Sequence, residues 1–309
     1  MKNSLLLLFF AALLASCSNS KKTPSGFEFT VLRKGDGVKV DSGKYMVMNL
    51  VFKDGKDSVW NDSRKNDFPA VVQMQGTVPA GDAVMEVIKM LTKGDSVSFQ
   101  VPAKKLFEAT FRQPIPPNVD TTKAFTFLIG VKEILDQEQI KKLQEELVAK
   151  QNEKMMREQE LQLAKDTVAI DDYLKAKNIS ALKTKSGLRY VVTKLGNGSN
   201  AKMGDLAKVN YSGYLLNGKY FDTSIEADAK KNNVFMEGRT YSPYDVEIGG
   251  YPPVIQGWVE ILQLMNKGAK VQVYIPSTLA YGNQRRSDVI VENSILVFDM
   301  EMVDIIVKK

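Results

Sequence analysis

The sequence predicts an α+β chain in which two similar, mostly β domains are joined by a long charged helix. Three observations carry this. The chain repeats itself: Gly26-Phe27-Glu28-Phe29-Thr30-Val31 recurs as Gly187-Leu188-Arg189-Tyr190-Val191-Val192, Gly35-Asp36-Gly37 as Gly196-Asn197-Gly198, and Gly43 as Gly204, all 161 residues apart. Each copy reads as short alternating strands around one short amphipathic segment, the pattern of a helix set against an antiparallel sheet. Between the copies, 136–165 is rich in Glu, Gln and Lys and holds no glycine or proline, as a solvated helix should be.

The repeat continues with a drifting spacing. Asp54-Gly55-Lys56 matches Asn217-Gly218-Lys219 at 163, Thr92-Lys93-Gly94 matches Asn266-Lys267-Gly268 at 174, and Val131-Lys132-Glu133-Ile134 matches Met302-Val303-Asp304-Ile305 at 171. Elements therefore persist while loops differ, and a period of this size marks duplicated domains rather than a solenoid. The expected organisation is a leader over 1–16, a flexible tether over 17–25, a first domain over 26–135, a helical linker over 136–182 and a second domain over 183–309.

Within the second copy, Leu206–Tyr214 alternates apolar and polar and runs into Asn217-Gly218, a hairpin signal. Val271–Ile275 and Ser294–Val307 are further strands. Trp258, Ile261, Leu262 and Met265 recur at helical spacing, with Gly268 expected to stop that helix. The linker is expected as two helices, the second over Val168 to Lys177 with Thr167 as its cap. Ile140, Leu143 and Leu147 begin a heptad-like stripe that weakens through Gln151–Arg157. It reads either as a spacer or as a homodimer contact, since a coiled coil needs the stripe sustained over three or four heptads.

Composition excludes much. The chain of 309 residues carries 42 Lys+Arg against 36 Asp+Glu, without the basic run that nucleic-acid contact calls for. It has no histidine, which removes Ser-His and Cys-His catalysis and zinc sites of the HExxH kind. Its one cysteine, Cys17, forms no intramolecular disulfide. That cysteine follows Lys2, an apolar run from Leu5 to Leu14 that is too short to span a bilayer, and Ala15-Ser16. The stretch resembles a bacterial lipoprotein signal. The resemblance implies cleavage before Cys17, acylation of its thiol and new amino group, and a lipid anchor in the cell envelope. With Ser18 next and no acidic residue following, the outer membrane facing the periplasm is expected.

The second copy carries the chemistry. In order come Val209-Asn210-Tyr211-Ser212-Gly213-Tyr214, then Gly218-Lys219-Tyr220-Phe221-Asp222-Thr223-Ser224, Val254-Ile255-Gln256-Gly257-Trp258, Leu279-Ala280-Tyr281-Gly282 and Ile295-Leu296-Val297-Phe298-Asp299. Taken singly, the aromatic residues read as core. Asp222 does not, because an acid beside Phe221 and aimed at an apolar region needs a polar partner. The five ordered motifs resemble the FKBP-type peptidyl-prolyl cis-trans isomerases, and the resemblance spans about 183–309.

That resemblance implies a twisted antiparallel half-barrel around one short helix, with an apolar bowl as the site. Trp258 would form its floor, and Tyr211, Phe221, Tyr244 and Phe298 its walls. Val254 and Ile255 would line the entry, the Ile255 N–H donating to a substrate carbonyl. Tyr281 would offer its hydroxyl, Asp222 would orient Tyr211 from the rim, and Ile290 would overhang on a loop. No metal or cofactor is implied, and the partners implied are X-Pro segments of envelope proteins.

The residue types suit the reaction. Rotation about an X-Pro bond faces a barrier of roughly 18–20 kcal/mol set by amide resonance. Water supports the polar planar form, and an apolar pocket withdraws that support while costing the less polar twisted form less. No nucleophile or general base is needed.

The chain departs from the family pattern in three places. The stretch from Phe221 to Tyr244 is longer by over a dozen residues and contains Val234-Phe235-Met236, which reads as a local core or as a substrate lip. Gly249-Gly250-Tyr251-Pro252-Pro253 is slightly extended. Val291-Glu292 stand where a proline pair is usual. The first copy resembles the family faintly. Alignment by the repeat puts Met48 at Tyr211, about Trp60-Asn61 at Phe221-Asp222, Ala80-Gly81 at Val254-Ile255, Val84 at Trp258, Phe107 at Tyr281 and Phe127 at Phe298. It is expected to fold without activity and to serve peptide binding or dimer contact. The competing function is a chaperone or peptide-binding module without significant isomerase activity, and a third reading is a structural lipoprotein.

Overall fold

The computed structural model describes residues 19–66, 68–74, 76–79, 81–251 and 253–307. The chain divides into two compact units, one to Asn152 and one from Glu153. Cys17 and the leader lie outside the described residues.

The first unit holds strands β1 (Ser20–Lys22), β2 (Glu28–Arg33), β3 (Tyr45–Lys53), β4 (Val59–Asp62) and β5 (Ala70–Gln73), helix α1 (Ala83–Met90), strand β6 (Ser96–Pro102), a short turn of helix α2 (Ala103–Lys105) continued by a wider turn (Leu106–Phe111), and strand β7 (Ala124–Leu135). Its sheet runs β1-β2-β6-β7-β3-β4, with β5 also on β3. Helix α1 starts where the Asp82 carboxylate accepts from the Met85 N–H (3.1 Å), satisfying one of the free donors of the first turn. It lays Val84, Val87 and Ile88 on a core with Met46, Phe99, Phe127 and Ile129.

Helix α3 (Gln137–Ala176) begins in the first unit and ends in the second. The second unit continues with β8 (Leu182–Lys183), β9 (Arg189–Lys194), β10 (Asn197–Asn200), β11 (Leu206–Leu215), β12 (Tyr220–Thr223), α4 (Glu226–Lys231), β13 (Tyr244–Glu247), α5 (Gln256–Leu262), β14 (Asn266–Lys267), β15 (Lys270–Ile275) and β16 (Leu296–Ile306). Its main sheet runs β8-β9-β15-β16-β11-β12, with β13 also on β11 and β10 paired only with β14. Ala207, Val209 and Tyr211 alternate inward along β11, and Phe298, Met300 and Met302 along β16, onto Ile261 and Leu262 of α5.

The two strand orders are the same, and the likeness extends to single residues. The β3–β7 pairing shifts between Val47 and Met48, and the β11–β16 pairing between Lys208 and Val209. In both, one extra residue stands on the long strand, Lys132 or Val303, which is a β-bulge. Ser25 donates to Glu86 of α1 (2.6 Å), and Ser186 donates to Glu260 of α5 (2.6 Å). Thr23 and Thr184 each accept a backbone N–H four residues on, both at 3.2 Å. The architecture is therefore α+β with antiparallel sheets and a long charged helix.

Four local expectations change. Residues 20–25 are not a tether: Ser20–Lys22 pairs with Glu28–Thr30, Thr23 is buried and Ser25 is held by Glu86. The linker is one helix rather than two, because nothing between Lys165 and Val168 breaks it. Thr167 donates back to the Ala164 carbonyl (3.0 Å) instead of capping a new start. Helix α5 ends at Leu262, and Gly268, at φ +81°, instead donates its N–H to Met302 (2.7 Å). Finally, Tyr211 faces Met300 while Leu50 faces Ile129, so Leu50, not Met48, is the counterpart of Tyr211.

The end of α3 packs Ile170 and Leu174 against Tyr274 and Val297 on the outer sheet face. Beside them Arg189 grips Asp171 through Nε (2.9 Å) and Nη2 (3.0 Å), with Lys183 added at 2.9 Å. These cations hold the Asp171 carboxyl well below its ordinary 3.8, at about 2, chiefly through the Arg189 hydrogen bonds and against the cost of burial. A depressed carboxylate stabilises the fold fully above its unfolded value and loses that contribution as pH falls through the folded one. We therefore predict that Asp171→Asn is less stable than the unsubstituted chain at pH 7 and that the gap closes between pH 4 and pH 2. Urea unfolding at each pH reads this, and a constant gap would count against it.

Candidate active site

One cavity of about 560 Å³ opens in the second unit, and all ten side chains singled out from the sequence as catalytic or substrate-binding line it. They come from six places in the fold. Tyr211 points inward from β11, Phe221 and Asp222 come from β12 and Tyr244 from β13. Val254 precedes α5, Ile255 caps it and Trp258 lies in its first turn. Tyr281 follows a single 3₁₀ turn, Ile290 lies on the loop after it, and Phe298 is on β16.

Trp258 is the floor. Its indole is 6% exposed and meets Tyr211 at 5.0 Å and Phe298 at 5.2 Å between ring centres, both edge to face. Tyr244 stands at 6.4 Å from the indole, and Phe221 meets Phe298 edge-on at 5.6 Å. Such packing suits the aromatic quadrupoles and holds the walls in one arrangement. Gly213 permits it: a Cβ there would lie 2.6 Å from the Phe221 ring and 2.7 Å from Phe298. The Trp258 Nε1–H is buried without a hydrogen-bond partner.

Polar groups sit at the rim. The Tyr211 hydroxyl donates to Asp222 Oδ2 (2.5 Å). Asp222 Oδ1 accepts from Arg239 and from the Thr223 N–H (2.9 Å). Burial, and then the hydrogen bond to Asp222 and its charge, push the Tyr211 phenol far above its ordinary value, so it stays a donor at any working pH. Ile255 leads α5 with no side-chain cap, and N–H groups at a helix start have no partner within the helix. Tyr281 is half-buried, with the Arg286 guanidinium 4.9 Å from its ring centre. The overhanging loop is tied at its base by Asn293 N–H to the Gly282 carbonyl (2.7 Å) and at its tip by Ile290 N–H to Ser287 Oγ (3.0 Å).

The sequence reading assigned no site role to Arg239, Pro253, Arg286 and Ser287, which share the lining, and gave Met236 only as part of an insert that reads as a local core or a substrate lip. Arg239 had a signal: an acid at an apolar rim calls for a cation, and the long stretch after Phe221 supplies one. Met236 comes from the Val234-Phe235-Met236 insert and reaches the cavity, whereas Phe235 stacks on Tyr241 (5.6 Å).

The first unit fills the equivalent place with rings. Phe52 pairs with Phe127 as Gly213 pairs with Phe298, and it stacks on that ring at 5.2 Å. Trp60, the counterpart of Phe221 by strand register, packs edge-on against Phe125 (5.0 Å) and Phe107 (6.0 Å).

Residues 197–303 match the family model described as FKBP-type peptidyl-prolyl cis-trans isomerase. A probable FKBP-type peptidyl-prolyl cis-trans isomerase of Haemophilus influenzae is 37% identical over 134 residues, 43% of this chain and 48% of its own. The FKBP-type peptidyl-prolyl cis-trans isomerase FkpA of Aeromonas hydrophila is 33% identical over 185 residues, 59% of this chain and 63% of its own. The crystal structure of FkpA from Escherichia coli is similar at 28% identity and a TM-score of 0.37, covering 57% of this chain and 75% of that one. The chain spans about half the length of the curated relatives it matches.

Proposed function

We propose that this chain, whose residues 197–303 form a domain of FKBP type, catalyses cis-trans isomerisation of X-Pro bonds in proteins folding in the cell envelope. The observation that carries the reading is a cavity floored by Trp258 and walled by aromatic side chains, with polar groups of Asp222, Arg239 and Tyr281 in its lining. The proline ring enters over the indole, between Tyr211, Phe221 and Phe298. The Ile255 N–H binds the carbonyl that precedes or follows the twisted bond, and Tyr281 and Asp222–Tyr211 hold the substrate backbone. Val254, Tyr244 and Ile290 close the sides. The chemistry is desolvation of a resonance-stabilised imide: the planar form loses its water partners and the twisted form, with less charge separation, loses fewer. Donors set in advance cost no reorganisation when the bond turns.

The test is NMR exchange between cis and trans X-Pro peptides in the presence of the full chain. Acceleration is expected, and its absence would refute the reading. The first unit contributes none of it, since rings occupy its pocket. Acceleration that survives intact when the second unit's pocket is disabled would overturn that assignment.

A second reading, a periplasmic chaperone or peptide-binding module without significant isomerase activity, is favoured by apolar groups left exposed around the cavity. Tyr251, two residues before the lining Pro253, is 90% exposed, and Met236 and Tyr244 of the lining are exposed too. Suppression of a client's aggregation that persists in a pocket-disabled variant would support it.

Anchoring is part of the proposal. The apolar run before Cys17 and the small residues flanking it support acylation there, and several acyl chains give stable attachment where one gives marginal binding. Mass spectrometry of the N-terminal peptide from cells reads this, and the outer membrane facing the periplasm is the proposed address. The dimer contact proposed along α3 rests on its exposed Val148, Met155, Met156 and Leu161. Sedimentation of the full chain decides it.

A further inference from the structure

Tyr281 has no strand of its own. The chain leaves β15 at Ile275, passes Pro276 and makes one 3₁₀ turn over Ser277–Leu279 before the tyrosine. Ser277 brackets that turn: its carbonyl accepts from the Ala280 N–H (2.9 Å) and from the Gly282 N–H (2.8 Å), on either side of Tyr281. Ser277 is fully buried, and what holds it comes from far away in sequence. Both its N–H (2.7 Å) and its hydroxyl (2.6 Å) donate to one oxygen, Oδ2 of Asp166 on α3.

Asp166 is 3% exposed, and its other oxygen accepts from Gln162 Nε2 (2.7 Å). No lysine or arginine among the described residues pairs with it. A buried carboxylate without a counter-cation opposes folding unless its hydrogen bonds are well made. An apolar side chain would fill the same space without that penalty. What the acid adds is direction: two short charge-assisted bonds on one residue that fix where the turn sits.

The other copy supplies a contrast. The counterpart of Ser277 is Ala103, which has no hydroxyl, and its N–H is taken by the Lys123 carbonyl (3.1 Å). There the tyrosine is replaced by Phe107, which has no hydroxyl to aim. The serine is absent where the tyrosine is absent.

We propose that Asp166 is a positioning residue for the isomerase, acting through Ser277 to place the Tyr281 hydroxyl at the cavity, so that α3 is a working part of the catalytic unit as well as the link between copies. The proposal rests on the isomerase reading. Asp166 lies outside the cavity lining and reaches the substrate only through the turn.

The experiment is a double-mutant cycle in the full chain, with kcat and KM from X-Pro exchange and stability from urea unfolding. Asp166→Ala should lower kcat about tenfold with KM within about twofold, because a turn displaced by an ångström misdirects a catalytic group. Asp166→Asn, which keeps an acceptor for Ser277, should recover most of the loss. With Tyr281→Phe already in place, Asp166→Ala should cost less than about twofold further, since coupled residues are not additive. An equal loss in both backgrounds would overturn the proposal, as would a loss that Asp166→Asn fails to relieve. Should Asp166→Ala not fold, Ser277→Ala takes its place in the same cycle. If the unsubstituted chain gives no acceleration at all, the isomerase reading itself fails and takes the proposal with it, an outcome distinct from additive losses in an active chain.

Discussion

Trp258→Ala should reduce the isomerase kcat/KM of the full chain by between about tenfold and a hundredfold, the range expected when a group that positions and desolvates the reacting bond is lost. Removing the indole takes away the floor against which Tyr211 and Phe298 stand edge-on. On the proposed mechanism it also admits water to the imide, and water restores the support for the planar form. The cost in stability is separate, about 3 kcal/mol for a buried large aromatic truncated to alanine. That loss is affordable only if the unit starts well above zero, so urea unfolding must accompany the NMR exchange. Trp258→Phe keeps an apolar floor and should lose much less in rate. An unchanged rate in a folded Trp258→Ala chain would place the chemistry elsewhere.

Gly213→Val should be the most damaging single addition. Every other wall residue contributes a side chain; Gly213 contributes the lack of one. A Cβ there would lie 2.6 Å from Phe221 and 2.7 Å from Phe298. Phe298 is held between Trp258 and Phe221, so relief has to come from Phe221 swinging toward the cavity it lines. Overpacking of this kind costs about 1–3 kcal/mol, and the displaced rings narrow the cavity. We expect destabilisation of that size together with a rate loss of about tenfold. The first unit shows the end state: Phe52 occupies this place and rings close the site. A Gly213→Val chain with undiminished exchange activity would mean that the edge-to-face wall is dispensable.

Much of this was legible beforehand. The duplication was readable because glycines at turns and alternation along strands are local signals that loop insertions do not erase. The ten pocket residues could be named through the resemblance to the FKBP-type isomerases, eight of them on the five ordered motifs and Tyr244 and Ile290 between motifs, and all ten lie round one cavity. What escaped was long-range or carried by absence. Arg239 sits on an insert whose path no periodicity reports, and only its salt bridge with Asp222 reveals its place. Asp166 fell at the expected break between two helices and drew no attention, since the partner that buries it is 111 residues away. The offset to Tyr211 was misjudged by two, because where loops change length only strand register decides which residues correspond.

By itself the sequence determined the α+β class, the two copies, the helix between them and the residue types of the site. The class and the helix follow from patterns with a period of two or about four residues, which need no knowledge of distant partners; the copies follow from the internal repeat, and the site residues from the resemblance to a known family. Tertiary structure alone decided that α3 runs unbroken through Asp166 and that residues 20–25 belong to the first sheet. It alone decided that rings close one pocket and leave the other open. Each of these depends on what a side chain meets across the fold, and an acid or a glycine has no preference of its own until that neighbour is in place.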